Sequence, residues 1–416
     1  MKSKLKWSVI DSFEGNKKSE KNFLYRFCPV CQTDQNRVIT QYKNFPFYTD
    51  CSVNSKLADI TQVRCLNCSA IYQNPTYSNH AYHTLFRQAG KSYGADVSHL
   101  REQITWLNKH SFFQSGNSLL DVGCYDGKFL RLIPRHIKKI GIHIDEVAIE
   151  RARKLFDKSE NVELIYGSFE EIGCLSVEPY TITLFHVLEQ LADPLSILKK
   201  LRSLSHQNTH LVIEIPILEN GKTNDINAFF SIQHTIHFTK NSVKNVLLRG
   251  GWQIIESEQV DRYNGYRIVA QPTYNDNEVN HKIINLSEKE ICDDFLIHEK
   301  ENIKKINKKI SQIPQKTNIV LWGAGMHSEL LYQSSNLFEK FENSKFIVVD
   351  NDDLKQGISW RGLPIHETKV LTTIDWNVTI LVVSSYGSQD LIYQSATNYN
   401  VPETVIFTLY DHLIRY

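Results

Sequence analysis

The sequence predicts an α/β protein: a doubly wound sheet in the middle of the chain, a small cysteine-rich unit before it, and a second strand–glycine turn–helix unit after it. Three observations predict this. Asp121-Val-Gly-Cys-Tyr-Asp-Gly127 follows the apolar pair Leu119-Leu120 and precedes Lys128-Phe-Leu-Arg-Leu-Ile133, a helical pattern. From there to residue 216, short apolar runs alternate with helical patterns, the signature of a parallel sheet covered on both faces. Ahead of all this stand two Cys-x-x-Cys pairs, Cys28/Cys31 and Cys65/Cys68.

The cysteine pairs come first in the chain. Each offers two thiolates at a tight turn, and 33 residues separate them. Four thiolates satisfy tetrahedral zinc and leave no open position, so the expected site is structural. A disulfide reading lacks support, because the basic start Met1-Lys-Ser-Lys-Leu-Lys6 has no apolar stretch of a secretory signal. A zinc ribbon can also bind nucleic acid. Here 47 Lys and Arg face 46 Asp and Glu, and the basic residues near the cysteines are not clustered. Cys51, Cys124, Cys174 and Cys292 read as isolated thiols. No apolar run approaches the ~20 residues of a membrane span. A soluble, cytoplasmic protein without nucleic-acid or membrane partners is expected. The 416 residues suit two or three domains, expected at 1–90, 91–275 and 276–416.

In the glycine turn, Gly123 and Gly127 can take positive φ or let a ligand approach the backbone, and Asp121 sets a carboxylate at the strand end. Ile140–Ile144 reads as the next strand. Asp145 then caps a helix from Glu146 to Phe156, with Ala148, Ala152 and Leu155 on one face. Asn161–Ile165, Thr181–His186 and His210–Pro216 read as further strands.

This order resembles class I S-adenosylmethionine (SAM) methyltransferases from about residue 100 to 270. Asp-x-Gly-x-x-x-Gly at 121–127 is similar to their first motif. Phe185-His-Val-Leu-Glu-Gln-Leu-Ala-Asp-Pro194 is close to the family's F-H-V-L-E-H-x-x-D-P. The resemblance implies that Asp121, Gly123, Cys124 and Gly127 surround the methionine part of SAM. It places His143 where the family carries the carboxylate that grips the ribose. It places Ser168 where an Asp accepts from the adenine amine, and Phe169 where a ring can stack on adenine. His186 and Glu189 would line the methyl-transfer pocket. Neutral His143 can accept only one hydrogen bond, so a weakened grip is expected. Asp145 could substitute, although its reading as a helix cap is the better one. Phe169 and Glu189 are equally well explained by packing.

Beyond Gln271–Glu278, a polar turn, the charged stretch Ser287–Ile313 carries Ile291, Phe295, Ile303, Ile306 and Ile310 at helical spacing. It reads as one long helix or two short ones, with Lys304, Lys305, Lys308 and Lys309 on a solvated face. A second α/β unit follows: strand Asn318–Trp322, Gly323-Ala-Gly325 opening a helix, strand Phe346–Val349 ending at Asp350, and strand Val378–Val383. It resembles a Rossmann-like unit but lacks the third glycine of a dinucleotide fingerprint.

A zinc domain, a class I methyltransferase sheet and a Rossmann-like domain, in that order, resemble the sugar C-methyltransferases. The resemblance covers nearly the whole chain and includes Tyr72-Gln-Asn-Pro75 after the cysteines. It implies a nucleotide-linked keto-sugar held between the central and C-terminal domains. A base would remove the proton beside the carbonyl, and the enolate would attack the SAM methyl group. The family's base region is Y-x-E-H followed by aromatics. Here it is Ser231-Ile-Gln-His234, then Thr-Ile-His237. His234 matches the base; Gln233 stands for the Glu, Ser231 for the Tyr, and His237 for an aromatic residue. Three readings stay open: this enzyme or its O- or N-methylating equivalent, a degenerate methyltransferase fold that only binds a ligand, and a nicotinamide enzyme using Gly323-Ala-Gly325.

Overall fold

The computed structural model describes residues 23–47, 56–78, 81, 97–157, 159–169, 175–226, 233–260, 264–273 and 286–413. Cys51, Cys174 and Ser231 lie outside the described residues.

The expected doubly wound sheet is present. Its strands run Trp252–Gln259, Gly265–Pro272, His210–Pro216, Thr181–Phe185, Ser118–Val122, Lys138–His143 and Val162–Tyr166 across the sheet. The last five pair in parallel, while Gly265–Pro272 runs antiparallel to both of its neighbours. Counted from Ser118–Val122, the order is 3-2-1-4-5-7-6. The chain thus leaves its first strand in one direction and its fourth in the other. The topological switch point lies between Val122 and Phe185 at the strands' carboxyl ends, the crevice in which open α/β sheets bind ligands.

The sheet is apolar on both faces, as parallel strands require. Leu119 and Leu120 enter two different core clusters, one with Leu130, Ile149 and Val212, the other with Ile140, Ile182 and Leu211. Each such side chain stabilises the fold by about 1.5–3 kcal/mol relative to exposure. The helix after the second strand spans Glu146–Arg153, shorter than expected. Ala148 and Ala152 are buried in it. Leu155 lies past the helix end and is exposed, so it is not part of the buried face.

The N-terminal unit holds a feature the sequence reading missed. Asn36–Phe47 and Lys56–Cys65 form a long antiparallel hairpin, and Ile71–Gln73 adds a third strand. Ile236–His237, from the central unit, completes this sheet against Ile71 and Tyr72. The C-terminal sheet runs Ser359–Trp360, Leu363–His366, Lys345–Val349, Asn318–Trp322, Thr379–Val383, Ile406–Thr408. It is parallel except at the Ser359 edge.

Residues Leu286–Gln312 form one continuous helix. Phe295, Ile306 and Ile310 are on its buried face; Lys304, Lys305 and Lys308 are exposed as expected, whereas Lys309 is half-buried and pairs with Asp411 at 2.5 Å. The segment at residues 223–225 ties the central and C-terminal units. Tyr386 Oη donates to Asn224 Oδ1 at 2.6 Å, and Asn224 Nδ2 donates to the His412 carbonyl at 2.6 Å. His327 Nε2 lies 3.1 Å from both carboxylate oxygens of buried Asp225. Among the described residues, no helix is long and apolar enough to cross a membrane.

Candidate active site

The glycine turn sits where the sequence predicts, at the carboxyl end of Ser118–Val122. Gly123 and Gly127 take φ of +90° and +76°, open to glycine at little cost. Their own fold also requires them: a Cβ on Gly123 would stand 2.4 Å from Val187 Cγ2, and one on Gly127 2.9 Å from Ala152 Cβ. The Ile142 carbonyl takes the amides of Gly123 and Cys124 at 2.8 and 3.1 Å. Asp121 is buried, and Thr183 Oγ1 donates to its Oδ1 at 2.7 Å. Burial pushes the Asp121 carboxyl up to about 7, against the opposing hydroxyl. Cys124 turns its thiol into the core beside Leu130, so its backbone is what faces the crevice.

His143 ends the second strand. Burial pulls its imidazole down to about 4, so it is neutral at pH 7. Tyr125 meets its ring edge-on, with centroids 5.6 Å apart. Asp145 is the helix N-cap, accepting from the Val147 amide at 3.0 Å. Ser168 and Phe169 are both buried after the third strand. Phe169 belongs to the core, and the Lys200 ammonium lies 5.4 Å from its ring centroid. Packing therefore accounts for this ring.

On the other side of the crevice the structure gathers residues that are far apart in sequence. His186 follows the fourth strand in a left-handed conformation, φ +55°. Its Nδ1 lies 3.4 Å from Glu189 Oε1, and its Nε2 lies 3.4 Å from Glu214 Oε1. Burial alone would lower its pKa, but the two carboxylates outweigh burial and raise it to about 10. Glu214 is fully buried on the fifth strand; Arg267 Nε donates to its Oε2 at 2.6 Å, and His99 Nε2 lies 2.7 Å from its Oε1. Burial pushes the Glu214 carboxyl up; His186, His99 and Arg267 outweigh it and hold it well below the usual carboxylate range.

His234 Nε2 lies 3.7 Å from Glu189 Oε1. Burial lowers the His234 pKa, with Glu189 opposing and His186 adding to the shift. His237 is pulled down to about 3 by burial and by His234. Gln233 is half-buried beside them. The segment is held from the N-terminal side: Arg26 donates to the carbonyls of Ala192 (2.5 Å), Thr235 (2.7 Å), Leu191 and Gln73 (both 3.3 Å).

Residues 97–257 match the family model of a methyltransferase domain. By this match the central sheet is a methyltransferase domain. Similar solved structures include a chain of the complex between the Haloferax volcanii Trm112 methyltransferase activator and a putative methyltransferase, at 13% identity over 42% of this chain and 93% of that one (TM-score 0.37). Others are SAM-dependent methyltransferases from Mesorhizobium loti, at 14% identity over 41% and 99% (TM-score 0.36), and from Aquifex aeolicus, at 17% over 43% and 100% (TM-score 0.35). No curated protein matches the chain.

The cysteines of the N-terminal unit converge. Cys28 Sγ lies 3.6 Å from Cys68 Sγ, and Cys31 Sγ 3.5 Å from Cys65 Sγ. All four sulfurs lie within 4.8 Å of one another. A tetrahedron of sulfurs about 2.3 Å from zinc has edges of about 3.8 Å, so the set fits the ion. The two turns are alike: Gln32 N donates to Cys28 O and Ser69 N to Cys65 O, and Gln32 and Ser69 both have φ +63°. Neighbouring thiols hold Cys31 and Cys65 below the ordinary thiol range and Cys28 and Cys68 above it.

In the C-terminal unit, Ala324 N donates to Asp350 Oδ2 at 2.7 Å, and Lys355 Nζ lies 3.3 Å from the same oxygen. A Cβ on Gly323 would stand 2.5 Å from Ser384 Oγ. Asp350 and Ser384 therefore explain this glycine turn by internal packing.

Proposed function

We propose that the protein transfers the SAM methyl group to carbon in a nucleotide-linked keto-sugar, with His234 as general base. The supporting observation is the contact of His234 with Glu189, 3.7 Å away, inside the Phe185–Pro194 block. Gln233 cannot charge-stabilise an imidazolium; the buried Glu189 carboxylate can. His234 is neutral at pH 7 and free to accept a proton. It takes the proton beside the carbonyl, the resulting enolate attacks the sulfonium methyl, and S-adenosylhomocysteine leaves with the sulfur's electron pair. Asp121, Gly123, Cys124, Gly127, His143 and Ser168 face SAM, and the sugar nucleotide sits between residues 91–275 and 276–416. Cys28, Cys31, Cys65 and Cys68 hold a structural zinc ion in residues 1–90.

His234→Ala should cost about 10²–10⁴-fold in kcat with SAM affinity unchanged. The wild type should exchange the sugar's acidic proton with deuterium when S-adenosylhomocysteine replaces SAM. Unchanged turnover in the variant removes His234 as base. Methyl transfer to oxygen or nitrogen leaves the SAM assignment standing and removes the carbon mechanism. A second reading, a ligand-binding protein without methyl transfer, is favoured by His143, which puts no carboxylate at the ribose position. Calorimetry with SAM and then turnover assays separate the two.

A further inference from the structure

We propose that His99, His186 and Glu214 form a second metal site, for a divalent transition ion such as zinc, distinct from the four cysteines. His99 comes from helix Val97–Lys109, His186 from the turn after Thr181–Phe185, and Glu214 from strand His210–Pro216. One ligand atom of each lies within 4.8 Å of the other two. His99 Nε2 and His186 Nε2 stand 2.7 and 3.4 Å from Glu214 Oε1. Two imidazoles and one carboxylate suit zinc and its first-row neighbours, and three protein ligands leave a position open for water or a substrate oxygen.

Two independent features point to an ion. The first is Glu214 Oε1. It is fully buried and accepts no well-formed hydrogen bond among the described residues, although His99 Nε2 is 2.7 Å away. Oε2 of the same carboxylate is engaged by Arg267. The bound oxygen faces away from the imidazoles, and the other faces them. The second is the outer shell. Metal-binding histidines hand their remote nitrogen to a carboxylate, which fixes the ring's orientation and tautomer. His186 Nδ1 lies 3.4 Å from Glu189 Oε1, and His99 Nδ1 lies 4.0 Å from Glu102 Oε2. The remote nitrogen of each imidazole thus faces a carboxylate, at 3.4 Å for His186 and 4.0 Å for His99, while His99 Nε2 also lies 3.3 Å from Gln103 Nε2. The site does not depend on His234 being the base.

Purified full-length protein, its cysteine site loaded with zinc, is titrated with cobalt(II). The wild type should take up one further equivalent. Its visible spectrum should show nitrogen and oxygen ligation without a thiolate charge-transfer band. His99→Ala and His186→Ala should each lose that spectrum while keeping one zinc and a native circular-dichroism spectrum. Protein purified without chelator should hold about two zinc ions, and each variant about one. No cobalt uptake by the wild type at ~100 μM overturns the site, whatever the variants do. So does an unchanged cobalt spectrum in both variants, or a second equivalent that shows thiolate bands.

Discussion

His237 pairs antiparallel with Ile71, and Ile71 follows Cys68 by a single short turn. The cysteine cluster and the segment of the candidate base are therefore one sheet. Gln73 N donates to the Thr235 carbonyl at 2.8 Å and extends the coupling to the residue beside His234. If zinc holds the cysteine turns, losing it should loosen residues 71–73 and 234–238 together. Cys65→Ser is expected to lower the zinc content by about one ion per chain. It should also raise amide exchange in those two segments roughly tenfold, with strand Asn318–Trp322 unaffected. Exchange confined to residues 28–68 would separate the metal from the base segment.

Arg26 makes a related prediction. Its fork spans four carbonyls on three segments, a geometry that the point charge of lysine cannot copy. Arg26→Lys should destabilise the fold by about 2 kcal/mol, read by urea denaturation. It should also lower turnover more than it lowers SAM affinity. Equal stability of the variant would show that the four contacts carry no net weight.

Much of the fold was legible because parallel strands are short apolar runs between glycine and cap signals. Leu119-Leu120, Thr181–Phe185 and His210–Pro216 have that form. The hairpin Asn36–Phe47/Lys56–Cys65 does not. It is rich in polar residues, and its register shifts at Val38/Thr40 and Tyr42/Phe45 break the alternation a strand reading needs. The candidate site was half legible. Motif positions such as Gly123 and His186 carry their spacing with them. His99 and Arg26 carry no local signal, because only the fold brings them to Glu214 and Thr235. Glu214 did leave a trace: it is a lone charge inside the apolar run Leu211–Ile215, and such a residue is seldom buried without a partner. Gly123 teaches the opposite lesson. Val187 already fills the space above it, so losing that glycine would damage the fold whether or not a ligand binds.

Asp121 should make stability depend on pH in an unusual direction. Its folded pKa, about 7, lies above the ordinary 3.8. The native state therefore holds a proton that the unfolded chain has released, and stability falls as pH rises from about 4 to 7. Above that both states are ionised and the loss is complete, up to about 4 kcal/mol for a shift of this size. Asp121→Asn removes the titration. The stability of the variant relative to wild type should climb across that window and level off above pH 7, measured by denaturation at each pH. A difference that stays flat from pH 4 to 8 would refute the raised pKa. Cationic SAM beside the carboxylate should reverse part of the penalty, so SAM should protect the wild type more at pH 8 than it protects Asp121→Asn.

The final prediction concerns His143. In the proposed complex the second strand ends where the ribose hydroxyls arrive. The carboxylate two residues further on, Asp145, is committed to the Val147 amide as a helix cap. His143 is neutral at pH 7, because burial holds its pKa near 4, and a neutral imidazole accepts one hydrogen bond where a carboxylate accepts two from a diol. His143→Asp should therefore tighten SAM and S-adenosylhomocysteine alike. One charge-assisted hydrogen bond is worth about 1.5–3 kcal/mol, or roughly tenfold and upward in Kd. Asp126, whose charge already reaches His143, opposes a new carboxylate and trims the gain. His143→Asn controls for size: it keeps one acceptor and should leave Kd near the wild-type value. Calorimetry of the three proteins with both ligands reads the result directly. Weaker binding by His143→Asp, with His143→Asn unchanged, would mean that this strand end does not meet the ribose.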